Sequence, residues 1–98
     1  MEIPDKIQII GSVIKTVYEE RLLEELGSTG QTNPMFNEIR LRRKIENREI
    51  DDDKLFETYF HEVVHTILDK LGYKELSSDD VFVRSLSGVL VQIIRQLK

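Results

Sequence analysis

The segment DDDKLFETYFHEVVHTILDKL, residues 51–71, constrains the fold more than any other part of this chain. Its apolar positions recur every three or four residues, which is the spacing that puts them on one face of an α-helix. Those positions are Leu55, Phe56, Tyr59, Phe60, Val63, Val64, Ile67, Leu68 and Leu71. Aspartates precede the pattern and Gly72 follows it, as is usual at the two ends of a helix. We therefore predict a long amphipathic helix at about 51–71.

A second helix is predicted at about 78–97, after a short connection. Ser77 is a good N-cap residue, and Asp80 three residues later gives the pair the form of a capping box. The apolar stripe of this helix consists of Phe82, Val83, Leu86, Val89, Leu90, Ile93, Ile94 and Leu97. Because the link between the two helices is short, they are expected to pack as antiparallel or steeply crossed neighbours.

The first half of the chain favours strands. Residues 7–10 and 13–18 are rich in β-branched and aromatic side chains around Gly11-Ser12, a pair suited to a hairpin turn. A turn at Asn33-Pro34 and the alternation at 39–42 predict a second strand pair, while 19–26 could be a helical turn or an irregular crossing. The expected fold class is α+β, with a small antiparallel sheet packed on the two helices.

Size and charge limit the possible functions. With 98 residues, the chain is expected to form a single domain spanning 1–98. A net charge of -4 argues against a nucleic-acid partner, and the basic residues at 40–44 are more typical of a solvated strand face. The first ten residues do not resemble a secretion signal, and no segment is long and apolar enough to span a bilayer. We therefore expect a cytoplasmic location and no membrane partner.

Both histidines of the chain lie in the pentapeptide HEVVH at 61–65. Four residues apart on a helix, His61 and His65 can present two imidazole nitrogens to one metal ion, with Glu62 placed to exchange a proton with a metal-bound water. Both histidines fall opposite the apolar stripe, so they are either a metal site or part of a solvated face. Since cysteine is absent, any metal must be held by imidazole and carboxylate.

A zinc site with two histidines needs a third protein ligand, usually a carboxylate. Glu75, Asp79 and Asp80 all follow the turn at Gly72, where the chain doubles back towards the histidines. An acidic first turn also stabilises a helix by itself, through capping and the helix dipole. From the residues alone, any of the three carboxylates could complete the site.

The runs HEVVHTILDKLGYKEL at 61–76 and VFVRSLSGVLVQII at 81–94 carry a resemblance to a known family. The chain resembles the small single-domain HExxH metallopeptidase-like proteins encoded by phages and prophages, which are minimal gluzincins of the zincin type. Gly30-Gln31-Thr32 and the strand EIRL at 38–41 match the segments that precede the active-site helix in that family. The resemblance covers most of the chain, and HExxH is its one specific motif.

This resemblance implies a zincin-like fold with zinc on His61, His65 and Asp80, and with Glu62 as general base. It also implies an edge strand that binds an extended peptide substrate. Two positions depart from the family pattern. Asp80 stands in place of a glutamate, which leaves Asp79 and Glu75 open as ligands, and a small residue at 87–88 replaces an asparagine.

No residue plainly supplies the second electrophile that metallopeptidases use to stabilise the developing negative charge. Tyr73 is a catalytic candidate because of its proximity in the sequence, and Arg84 is a weaker one. The sequence thus favours a zinc-dependent metallopeptidase that hydrolyses peptides or proteins. The alternatives are a catalytically silent zincin-like interaction module of phage or prophage origin, and a structural domain in which HExxH is accidental.

Overall fold

The computed structural model describes residues 2–97, which form one mixed α+β unit. The strands are β1 (Lys6–Ile9), β2 (Ser12–Tyr18), β3 (Gly30–Asn33), β4 (Glu38–Leu41), β5 (Lys44–Ile45) and β6 (Arg48–Glu49). The helices are α1 (Glu20–Glu25), α2 (Asp52–Lys70), α3 (Lys74–Ser77) and α4 (Asp80–Gln96). Within this described range, no helix is long and apolar enough to cross a membrane.

Strands β1 and β2 form the predicted hairpin, but its turn lies one residue earlier than expected. The turn residues are Ile10 and Gly11, with φ of 48° and 78°, and Ser12 already belongs to β2. Positive φ at both central residues is the geometry of the two-residue turn whose twist matches that of antiparallel strands. Glycine adopts this conformation without strain, which explains its place in the turn.

The prediction of an antiparallel sheet was wrong for one strand pair. The four-stranded sheet has the order β1-β2-β4-β3, and β2 pairs with β4 in parallel. Between them the chain crosses through α1, runs back along β3, and turns at 34–37 into β4. The alternation of apolar residues identifies strands but says nothing about the direction of their neighbours, so the sheet is mixed.

Helix α2 is covered on two sides. Its core with the sheet contains Ile9, Ile14, Ile39, Leu41, Phe56, Tyr59, Val63 and, from α4, Val91. A second cluster joins α2 to α4 and contains Val64, Leu68 and Val83. Full burial of such a side chain contributes roughly 1.5–3 kcal/mol each. The packing therefore fixes the position of the histidine-bearing side of α2 relative to both the sheet and α4.

The connection between α2 and α4 differs from the prediction. It folds into the short helix α3, and Ser77 is its last residue rather than the N-cap of the next helix. Asp79 caps α4 instead, because its side chain accepts a hydrogen bond from the Phe82 amide at 3.1 Å. Ser77 is thereby left buried beside α2, where it has a different partner.

Candidate metal centre

Three of the predicted metal ligands come together in the structure. His61 and His65 lie one turn apart on α2, and Asp80 is the first residue of α4. One ligand atom from each of the three lies within 4.8 Å of the other two. The histidines are half-buried and Asp80 is exposed. The reversal of the chain through α3 thus places a carboxylate opposite the pair of imidazoles.

The two imidazoles converge through the same type of atom. His61 Nε2 and His65 Nε2 are 3.2 Å apart. Two nitrogens that each bind zinc at about 2.0–2.1 Å with a tetrahedral angle between them lie about 3.3 Å apart. The nitrogen pair already has this spacing, so Asp80 is the ligand that would have to move closer. Its side chain is exposed, which leaves it room to do so.

Ser77 fixes the orientation of His65. Its Oγ lies 3.0 Å from His65 Nδ1, and the residue is only 7% exposed. With the Nδ1–H group donating to this hydroxyl, the Nε2 lone pair is directed at the shared point between the histidines. An acceptor of this kind behind a metal-binding imidazole sets both its tautomer and its ring orientation.

The structure distinguishes among the three carboxylates that the sequence left open. Asp80 belongs to the cluster with the histidines, whereas Asp79 uses its side chain to cap α4. Glu75 lies in α3, is exposed, and is not part of the cluster. The geometry therefore favours Asp80 as the third ligand.

Glu62 is buried in contact with strand β3. The residue is 7% exposed, and its Oε1 accepts a hydrogen bond of 2.7 Å from the Thr32 hydroxyl. The same hydroxyl lies 3.2 Å from the Glu62 carbonyl oxygen, which also accepts a bond from Thr66. Helical periodicity alone would place Glu62 on a polar, solvated side. Its burial results from the approach of β3.

Gly30 permits this close approach of β3 to α2. A Cβ at this position would lie 2.7 Å from Thr58 Cγ2 and 3.4 Å from Glu62 Oε2. Real side chains essentially never approach as closely as the first of these distances, so a larger residue would push on the helix next to Glu62. Glycine at position 30 therefore allows β3 to lie directly against the Glu62 carboxylate.

The environment keeps His61 in its neutral form. Burial lowers the pKa of His61 below 6.5, and the charges of His65 and Arg84 act in the same direction, against those of Glu62 and Asp80. A neutral imidazole is the form that binds metal. At neutral pH the lowered pKa therefore leaves the His61 nitrogen available as a ligand.

A cleft of about 670 Å³ opens over these side chains. Residues 28–30 form one wall, α2 between 54 and 65 forms the floor, and α4 between 80 and 91 forms the opposite wall. Arg84 lines the cleft, but Tyr73 does not, and its side chain is more than half exposed at the end of α2. The prediction that Tyr73 acts as an electrophile gains no support from this position.

Two partners of the site were missed from the residues alone. The sequence pattern predicts a helix cap at Ser77, and only the chain reversal brings this residue to His65. Thr32 belongs to the segment Gly30-Gln31-Thr32, but its bond to Glu62 spans 30 positions of sequence. The sequence contains one indication of the Thr32 contact, which is that Gly30 and Thr32 lie close together in a strand that precedes the HExxH helix.

Comparison of the chain with models of protein families, with curated proteins and with solved structures gives no match in any of the three.

Proposed function

We propose that this chain is a zinc-dependent peptidase, with zinc held by His61, His65 and Asp80. The observation that carries the proposal is the convergence of these three side chains in one cleft with the buried carboxylate of Glu62. Two imidazoles and one carboxylate are the donor set of zinc centres that keep a position open for water or substrate. The spacing of the two Nε2 atoms, 3.2 Å, fits such an ion.

Bound zinc would supply a Lewis acid that lowers the pKa of a water molecule and polarises a carbonyl group. The protein contributes the general base. Thr32 holds one oxygen of the Glu62 carboxylate, and the other oxygen, Oε2, lies at the β3 side of the cleft beside Gly30. A carboxylate fixed in this way can take a proton and return it without first reorienting.

Strand β3 supports a peptide as the substrate. It is an edge strand of the four-stranded sheet, and its first residue lines the cleft. An edge strand offers main-chain N–H and C=O groups to an extended peptide, independently of that peptide's side chains. At Gly30 the Ser28 hydroxyl contacts both groups, at 3.3 and 2.6 Å, so a peptide bound there would displace it. The resemblance to small HExxH proteins supports the same substrate class.

A cleavage assay tests the proposal. Metal-stripped protein is reloaded with one equivalent of zinc and incubated with a mixed peptide library, and products are read by mass spectrometry. We expect new peptide termini with the wild-type protein and none with Glu62→Gln, although this variant still binds zinc. Cleavage at an unchanged rate by Glu62→Gln would show that another group is the base. No cleavage by any zinc-loaded form would refute the peptidase proposal.

One feature favours the alternative, an interaction module built on the same plan. Helix α4 carries a short stripe of exposed apolar side chains at Val89 and Ile93, one turn apart, and the exposed Leu97 follows at its C-terminal cap. Such a stripe is typical of a surface that contacts another protein. A protein that binds zinc on the three ligands but cleaves nothing in the library assay is the result that this alternative predicts.

A further inference from the structure

Arg84 occupies a distinctive place in the cleft. It lies four residues after Asp80 on α4, so the two side chains emerge one above the other on the same wall. It lines the cleft together with His61 and Glu62. The guanidinium group is therefore close to the candidate metal centre, one helical turn along the wall.

The carboxylates of the cleft have surroundings other than Arg84, and Glu62 accepts its hydrogen bond from the Thr32 hydroxyl. Glu57 lies 4.0 Å from Lys54 and 3.4 Å from Arg95. Asp80 would be neutralised by a bound metal ion. Among residues 2–97, by contrast, no carboxylate forms a salt bridge with Arg84. With zinc in place, the part of the cleft around Arg84 is thus positive, although the whole chain has a net charge of -4.

The wall next to Arg84 leaves room for a ligand. Ser87 and Gly88, three and four positions further along α4, also line the cleft. A Cβ on Gly88 would meet no atom within 4 Å, so the surface there is open. Because these residues are small, the cleft stays open beyond Arg84, and a ligand held by the guanidinium can continue along α4.

We propose that Arg84 binds a carboxylate of the substrate and so selects peptides with a negative charge next to the scissile bond. This inference rests on the proposed peptidase function. The planar guanidinium offers two parallel N–H donors that match the two oxygens of a carboxylate. That carboxylate can be the C-terminus of the peptide or the side chain of an aspartate or glutamate. Arg84 is then a specificity-determining residue, while Glu62 and the metal carry out the chemistry.

Binding is measured on the zinc-loaded Glu62→Gln protein, so that hydrolysis does not interfere. The probes are four fluorescein-labelled, alanine-based pentapeptides. One has a free C-terminal carboxylate and one is its C-terminal amide; two further amides carry glutamate or glutamine at the central position. Fluorescence anisotropy gives the affinity of each probe for the parent protein and for forms that also carry Arg84→Gln, Arg84→Lys or Lys54→Gln.

We expect at least one carboxylate peptide to bind more tightly than its uncharged match. Arg84→Gln should remove that preference, with a loss of roughly 2- to 5-fold in affinity, because Arg84 is exposed and solvent weakens its attraction for a carboxylate. Arg84→Lys should retain part of it. Lys54→Gln, which removes another cation of the same cleft, should leave the preference intact. A preference for the free C-terminus over its amide would identify a C-terminal carboxylate as the ligand. A preference for glutamate over glutamine would identify a side-chain carboxylate.

Three results would overturn the inference. The protein could bind both members of each pair with equal affinity, it could keep the preference in Arg84→Gln, or it could bind none of the probes measurably. These results are separate from the cleavage assay. Wild-type protein that cleaves charged and uncharged peptides equally well would still be a peptidase, but without a carboxylate site. Binding that depends on Arg84, without any cleavage, would instead remove the peptidase proposal and keep the site.

Discussion

Asp79 and Asp80 are neighbours in the chain, yet their side chains have different partners. Asp79 accepts a hydrogen bond from the Phe82 amide, and Asp80 lies with the two histidines. The sequence could not separate these roles, because both residues fit the acidic first turn of a helix. The position of the helix start separates the two roles. Because α4 begins at Asp80, Asp79 is the N-cap residue and the Asp80 side chain takes no part in capping.

This division predicts opposite effects for two matched substitutions. Asp80→Ala should weaken zinc affinity by more than the roughly 10- to 100-fold typical of losing a supporting hydrogen bond, because it removes a ligand. Asp79→Ala should leave zinc affinity near wild type and lower the free energy of unfolding by about 1 kcal/mol through the lost cap. Zinc titration and urea unfolding of the metal-free proteins measure the two quantities. Loss of zinc binding in Asp79→Ala alone would reverse the assignment.

Ser77 provides a second test among single residues. Ser77→Ala removes the hydroxyl next to His65 Nδ1, so the imidazole loses the group that sets its tautomer. We expect zinc affinity to fall roughly 10- to 100-fold. Ser78→Ala is the matched control, because Ser78 is adjacent and exposed. Equal zinc affinity in both variants would mean that Ser77 has no part in the site.

Among the secondary-structure elements, strand β3 and helix α2 have the closest link to the proposed chemistry. The Thr32 hydroxyl bonds to both the carboxylate and the carbonyl oxygen of Glu62. A strand on the edge of the sheet therefore sets the position of the proposed general base, and Gly30 lets the two elements approach.

Replacing Thr32 with valine keeps the shape of the side chain and removes its hydrogen bonds. We expect Thr32→Val to lower kcat by about 10-fold or more with little change in KM, because the orientation of the base matters most in the transition state. Thr32→Ser should restore most of the rate. An unchanged kcat would show that this contact is purely structural.

The two long helices could be predicted from the sequence, whereas the short helix α3 and the pairing of the strands could not. The helix expected at about 51–71 is observed at Asp52–Lys70, because its pattern of apolar residues repeats over five turns. The parallel pairing of β2 with β4 depends on the path of the chain through α1 and β3, which no local pattern encodes. The same limit applies to Ser77 and Thr32, whose partners come from other elements.

On the scale of the whole molecule, the core encloses the hydroxyl group of Tyr59, and nothing in the structure explains why this position is a tyrosine. It lies in the main core at 2% exposure, and within residues 2–97 its hydroxyl has no hydrogen-bond partner. Burial raises the pKa of Tyr59 above 10.0, and the nearby Tyr18 acts in the same direction. Above pH 10 the unfolded chain releases this proton more easily than the folded one, so stability falls as the pH rises towards the folded-state pKa.

Tyr59→Phe should remove this decrease in stability at high pH, because phenylalanine has no hydroxyl proton to release. At neutral pH its free energy of unfolding should equal or exceed the wild-type value, because an unpaired buried hydroxyl costs about 1–3 kcal/mol. Between pH 9 and 11 it should lose less stability than the wild type, and Tyr73→Phe, which alters an exposed tyrosine, should follow the wild-type curve. Urea unfolding across this range measures both. A Tyr59→Phe protein that is less stable at neutral pH would indicate that the hydroxyl does have a partner.

The molecule as a whole depends on the reversal of the chain after α2, which brings the start of α4 back to the two histidines. The sequence indicated this reversal through Gly72 and the two amphipathic patterns, and the structure adds which carboxylate arrives. We propose that this arrangement binds one zinc ion.

The most direct test is a zinc titration of metal-stripped protein in competition with a chromophoric chelator. The wild-type chain should bind one zinc ion with an affinity that falls sharply in His65→Ala, whereas Asp79→Ala should match the wild type. Failure of the wild-type chain to take zinc from the chelator, or equally tight binding by His65→Ala, would contradict the assignment of His61, His65 and Asp80 as a metal centre.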